Sequence, residues 1–262
     1  MCFDVDAQPP ELPLSNVANG VSIAFTQDVT LTSADGTQFA AYVARPDAPN
    51  GAGIVILPDV RGLFQFYKEL ANRFAVAGVE AITIDYFGRT AGLTPRTDDF
   101  EFWPHVQQTK AAQVAQDVAA AIAYLRQLPG VDLKAIFTVG FCFGGGMSLR
   151  QATEHHGLSG VVAFYGPPQR ESFDGSPAPV TLVKQFECPV LGLYGGDDQG
   201  IPAEALQQFD AALGEAGVEH EIVTYPGAPH SFFDRKYEEF QEESADSWQR
   251  ILAFIGAHTP QK

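Results

Sequence analysis

The chain has 262 residues, 45% of them apolar and 18% charged, which suits one well-buried globular unit and excludes a disordered chain. Sixteen basic residues face thirty-two acidic ones, a net charge of −16. That field repels nucleic acid and anionic membrane surfaces, so neither is an expected partner.

Residues 1–19 read as a loose lead-in, and residues 20–262 as a single domain. Ser22–Ser33 and Thr37–Val43 alternate in polarity around an Ala-Asp-Gly turn at 34–36, the pattern of a hairpin. The rhythm then changes to strand–loop–helix units. Gly53–Leu57 is a short apolar strand, Tyr67–Phe74 a helix, and Val79–Ile84 a second buried strand. Lys110–Leu128 is the clearest helix, with Val114, Val118, Ala121, Ile122 and Leu125 on one stripe. A strand over Ala135–Val139 leads into a helix over Gly144–Ala152. Strands follow at Leu158–Tyr165, Pro189–Leu193 and Glu219–Thr224, with helices at Pro202–Gly214 and Ser247–Ile255. Apolar strands alternating with helices predict a mostly parallel central sheet covered on both faces. Two segments, 86–106 and 166–185, fit no regular element, and the first is the expected cover of a site.

Three cysteines, Cys2, Cys142 and Cys188, make no disulfide framework and suit a reducing compartment. Met1–Leu14 carries Asp4, Asp6 and Glu11 without an apolar segment, unlike a signal peptide. No apolar run reaches the roughly 18 residues of a membrane span. The expectation is a cytoplasmic protein.

The chemistry concentrates at Gly140-Phe141-Cys142-Phe143-Gly144, directly after a predicted strand and before a helix. This is the G-x-S-x-G nucleophile elbow with cysteine in place of serine. The glycines fit a turn too tight for a Cβ, and a helix N-terminus favours thiolate over thiol. Such a nucleophile needs a base and an acid later in the chain. Asp197 and Asp198 follow one strand, and His230 lies in a Pro/Gly loop after the next. Spacing alone leaves both aspartates open as the acid. The other five histidines, at 105, 155, 156, 220 and 258, hold no comparable position, and none shows metal-ligand spacing. No G-x-G-x-x-G, G-K-[ST] or C-x-x-C occurs, so neither a cofactor, a metal nor a dithiol centre is expected.

With these residues in view, the chain resembles the dienelactone hydrolases (carboxymethylenebutenolidases) of the α/β-hydrolase superfamily. The resemblance rests on Val139–Gly145, on Gly195-Gly196-Asp197-Asp198 followed by Ile201-Pro202, and on Gly227 with His230-Ser231-Phe232. It implies an α/β-hydrolase fold and a Cys142–His230–Asp198 triad, the Ile-Pro pair selecting Asp198. It implies an oxyanion hole from the backbone N–H groups of Phe143 and Val60, and places Asp59 where the family has a glutamate that modulates the cysteine. Arg89 takes the position of one family substrate anchor. The other family anchor falls at Asp234, one residue before Arg235. Arg61 and Arg235 are therefore further candidates to meet a substrate carboxylate, with Trp103 and Phe232 as candidate apolar walls.

The implied activity is hydrolysis of a small ester or enol lactone, one bearing a carboxylate included, through a thioester, by a monomer or homodimer. A general carboxylesterase using the same triad, and a non-catalytic binding protein on the same fold, are the competing readings.

Overall fold

The computed structural model describes residues 22–260 apart from 235, so the lead-in over 1–19, Cys2 and Arg235 lie outside the described residues. The predicted hairpin is present as β1 (Ile23–Thr32) and β2 (Gln38–Pro46). Then come β3 (Ala52–Leu57), α1 (Gln65–Val76), β4 (Glu80–Ile84), α2 (Gly88–Ala91), α3 (Trp103–Gln108) and α4 (Ala111–Gln127). The second half holds β5 (Ala135–Phe141), α5 (Phe143–Gln151), β6 (Gly160–Phe164), α6 (Pro179–Leu182), β7 (Val190–Gly195), α7 (Ala203–Ala216), β8 (His220–Tyr225) and α8 (Gln241–Ala257).

The strands form one sheet in the order β1-β2-β4-β3-β5-β6-β7-β8. β2 pairs antiparallel with both neighbours, and the remaining pairs are parallel. Strand side chains alternate between two buried layers, as the two-residue period requires. In β3, Ile54 and Ile56 join α1 and α8 on one face, while Val55 and Leu57 join α4 on the other. Trp248 of α8 packs on Phe74 of α1 with ring centroids 4.8 Å apart. Full burial of such side chains is worth roughly 1.5–3 kcal/mol apiece, so burial on both faces explains why the central strands tolerate no polar face.

Two departures from the expected elements have local causes. α8 begins at Gln241, two turns before the predicted start. Ser244 and Ser247 occupy its core-facing positions, their hydroxyls bonded to the carbonyls of Phe232 and Glu243. A polar residue satisfied in this way hides an apolar stripe from view. The irregular segments contain the short helices α2, α3 and α6, each too brief to show a period. The loop over 86–106 is tied to the sheet by a buried ion pair between Arg96 and Asp85, 2.6 Å apart. Burial pushes the Asp85 carboxyl above its ordinary range, against the pull of Arg96.

Candidate active site

The strand-to-helix turn after β5 is as tight as the glycine pattern requires. Cys142 lies at φ 54°, ψ −114°, ahead of the first turn of α5. A Cβ on Gly140 would fall 2.0 Å from the Gly144 carbonyl oxygen, and one on Gly144 would fall 2.1 Å from that of Pro58. The elbow therefore packs its backbone directly on the end of β3. That contact brings Val60, just beyond β3, onto the same cleft as Cys142 and Phe143.

His230 is carried by the loop after β8. Its Nδ1–H donates to Asp198 Oδ2 at 2.6 Å, and Asp198 Oδ1 accepts the N–H of Gly200 at 2.8 Å. The Asp198 side chain is 3% exposed and that of His230 35%, so the pair reaches from the protein interior to the cleft. Burial opposes ionisation of Asp198, but the hydrogen bond and charge of His230 outweigh it and hold the carboxyl below its ordinary value. Asp197 is solvent-exposed. Of the two aspartates that spacing left open, Asp198 is the one bonded to the histidine.

Cys142 and His230 line one cleft of about 150 Å³. Behind the histidine, Tyr165 packs its ring 4.8 Å from the imidazole and donates its hydroxyl to Asp234 at 2.6 Å. Four non-glycine residues among those described have positive φ, and three of them, Cys142, Tyr165 and Ser231, surround this site. Strain of this kind persists only where the surroundings enforce it.

The remaining expected residues separate into two groups. Trp103 lines the cleft, whereas the described lining does not include Asp59, Arg61, Arg89 or Phe232. Asp59 is fully buried, and its carboxylate accepts the N–H of Arg61 at 2.9 Å. Arg89 is not among the described residues that line the cleft. Its guanidinium donates to Asp35 at 2.8 Å, Asp117 at 2.6 Å and Ser33 at 3.0 Å, and so joins the hairpin to α4. Arg61 is likewise turned to other partners, Asp98 at 3.3 Å and the ring face of Phe64 at 4.0 Å. Phe232 is no cleft wall but core, packed with Phe164, Tyr165 and Tyr225. Arg235 lies outside the described residues.

The cleft also holds residues that sequence reasoning passed over. Arg150 is buried within its wall, donating to the carbonyls of Pro177, Arg170 (3.2 Å) and Ser176 (3.5 Å). Burial pulls its guanidinium below its ordinary pKa, against nearby carboxylates. Phe143, Gly146, Met147 and Arg150 all face the cleft. They follow the i, i+3, i+4, i+7 stripe of one helix face, a signal present in the sequence. Pro167, Arg170 and Phe173 show that the 166–185 excursion, not the 86–106 loop alone, builds the wall.

The sheet order, the single reversed strand and the elbow define the α/β-hydrolase class. The crystal structure of a "Putative Dienelactone Hydrolase" from Klebsiella pneumoniae superposes with a TM-score of 0.78 at 28% identity, covering 91% of this chain and 99% of that one. A dienelactone hydrolase-like promiscuous phosphotriesterase from metagenomic libraries shares the fold, with a TM-score of 0.72 at 22% identity over 90% of this chain and 99% of that one. The model of the dienelactone hydrolase family matches residues 39–259, and the chain belongs to that family. A Salmonella typhimurium relative named "Putative carboxymethylenebutenolidase" is 30% identical over 247 residues, covering 91% of this chain and 90% of the relative. A Synechocystis protein of the same name is 30% identical over 223 residues, covering 82% and 89%. The protein is thus a hydrolase of the dienelactone hydrolase family. No helix among the described residues is long and apolar enough to cross a membrane.

Proposed function

We propose that the protein hydrolyses carboxylic ester or enol-lactone bonds with Cys142 as nucleophile, His230 as base and Asp198 as its orienting acid. The observation that carries this reading is the 2.6 Å bond from His230 to Asp198, on a histidine that shares one cleft with an elbow cysteine. With Nδ1 engaged by Asp198, Nε2 is the nitrogen that takes the Cys142 proton. The sulfur adds to the carbonyl carbon, and the C=O π electrons move onto oxygen. The N–H groups of Phe143 and Val60 hold that oxyanion. Collapse breaks the C–O bond, the leaving oxygen takes the proton from His230, and a thioester remains on Cys142. Water then gives a proton to His230 and adds to the thioester. The C–S bond breaks, the sulfur recovers the proton, and the acid departs. A thiolate is a good leaving group, so the site suits activated esters and enol lactones over amides. No cofactor or metal enters the scheme.

Wild type and Cys142→Ala, offered an aryl ester and an enol lactone, test this directly. The variant is expected to lose roughly 10⁴-fold or more in kcat/KM, and intact-protein mass spectra of the wild type should show an acyl adduct on Cys142. Turnover that survives the substitution overturns the proposal.

A further inference from the structure

Among the described residues, four large hydrophobic side chains are well exposed. The two most exposed, Trp103 at 55% and Phe173 at 53%, both line the cleft that holds Cys142. Exposed aromatics gathered at one concavity mark a binding surface. Phe143, the residue after the cysteine, is half-buried and presents its ring 6.5 Å from that of Phe173 at an interplanar angle of 38°.

The turn that carries Phe173 is held firmly. Ser172 and Ser176 are bridged by a 3.0 Å backbone bond, and the N–H of Gly175 donates to the Ser172 carbonyl at 2.9 Å. Asp174 accepts the N–H groups of Ser176 at 3.1 Å and Ala111 at 3.0 Å. Arg150 grips the carbonyls of Arg170, Ser176 and Pro177 from below the same turn. An exposed ring on so well-tied a turn loses little freedom when a ligand covers it.

Among the described residues, the two arginines that line the cleft, Arg150 and Arg170, both hydrogen-bond backbone carbonyls. The terminal nitrogens of Arg150 serve those loop carbonyls, and Arg170 donates to the Gly200 carbonyl at 3.4 Å. Glu171 stands on the same wall, and the whole chain carries −16. A free carboxylate arriving here competes with three loop carbonyls for Arg150 and meets Glu171 next to Arg170. Arg89, at the family anchor position, is bound to Asp35 and Asp117. The other anchor position holds Asp234, a buried acid bonded to Tyr165.

We infer that the substrate is an uncharged ester or lactone whose aromatic or similarly flat apolar group is gripped by Phe143, Phe173 and Trp103. This rests on the hydrolytic reading above and adds the substrate class to it.

The test uses 2,2,2-trifluoroethyl esters of butyric, 3-phenylpropionic and succinic acid (the last as its half-ester), which share one non-aromatic leaving group. Acid release by the full-length protein is followed by titration at constant pH. The phenylpropionate is expected to exceed the butyrate by roughly tenfold or more in kcat/KM, with the succinate half-ester slowest. Phe173→Ala should collapse the phenylpropionate-to-butyrate ratio toward one, while Phe173→Leu should keep part of it. Equal or higher kcat/KM for the succinate half-ester, lost in Cys142→Ala, overturns the inference and leaves the hydrolytic reading standing. If no ester is turned over, calorimetry of unreactive 3-phenylpropanamide and succinamate with Cys142→Ala decides the matter. Tighter binding of the aromatic amide supports the apolar grip although the hydrolytic reading has failed, and tighter binding of succinamate overturns both.

Discussion

The two irregular segments of the chain are built on different physics. The loop over 86–106 is fastened by ion pairs: Arg96 on buried Asp85, and Arg89 on buried Asp117 and on exposed Asp35. The excursion over 166–185 is fastened through its backbone, by Arg150 from below and by Asp174 against the start of α4. The first spends its arginines on the scaffold. The second leaves its side chains on the cleft, where Pro167, Arg170 and Phe173 form wall. An arginine near an active site is thus no evidence of substrate binding until its partners are known, and a charged residue can shape specificity while touching only carbonyls.

The contrast breaks most sharply at Arg89. Arg89→Ala leaves Asp117 buried without its cation, and the expected loss is about 3 kcal/mol of unfolding free energy in a urea titration. The kcat/KM for the carboxylate-bearing succinate half-ester should stay within about threefold of wild type, which a carboxylate anchor would not allow. Arg150→Ala should do the reverse. Its carbonyl partners lie at the surface end of a loop, so the expected stability loss is smaller, about 1–2 kcal/mol. The preference for aromatic substrates should nonetheless fall several-fold as the Phe173 turn loosens, measured as a ratio of kcat/KM values.

The smallest expected effect concerns the acid. Asp198 is held below its ordinary value of 3.8 in the folded protein, so it contributes stability above the unfolded value. That contribution is lost as pH falls through the lower, folded value. The stability gap between wild type and Asp198→Asn should therefore be widest near neutral pH and shrink below about pH 4, read from urea midpoints across that range. A gap independent of pH would mean the carboxylate charge contributes nothing.

The parts legible in the sequence are those whose physics is local. The elbow is legible because its glycines follow a fixed local spacing: Gly140 answers a constraint from Gly144 itself, although Gly144 answers one from Pro58 on the far side of the turn. The helix face of α4 was visible because a 17-residue helix repeats its stripe many times. Strand order places His230 and the Asp197-Asp198 pair, and the resemblance selects Asp198, whose hydrogen bond to His230 spans 32 positions. Arg89 has partners that are not legible in the sequence, for a different reason. Its position after β4 is local, but its direction is set by Asp117, which lies 28 positions away on α4. Phe232 is a similar case: two residues after the histidine and next to Ser231 with its positive φ, it is buried in the core. Arg150 was overlooked because its role depends on where the 166–185 excursion folds back, which no periodicity encodes.

The glycine packing around the elbow has a consequence for how such an enzyme changes over time. Replacing Gly140 or Gly144 would drive a carbon into a backbone carbonyl, so neither position is free to vary. The side chain at 142 makes no capping hydrogen bond to α5; the backbone holds the turn, through the N–H bond to the Phe164 carbonyl at 3.0 Å. On the proposed mechanism, the reacting atom can therefore be exchanged without rebuilding the turn's backbone. Sulfur and oxygen become alternative fittings for a single socket, and a lineage can trade one for the other while the fold stands still.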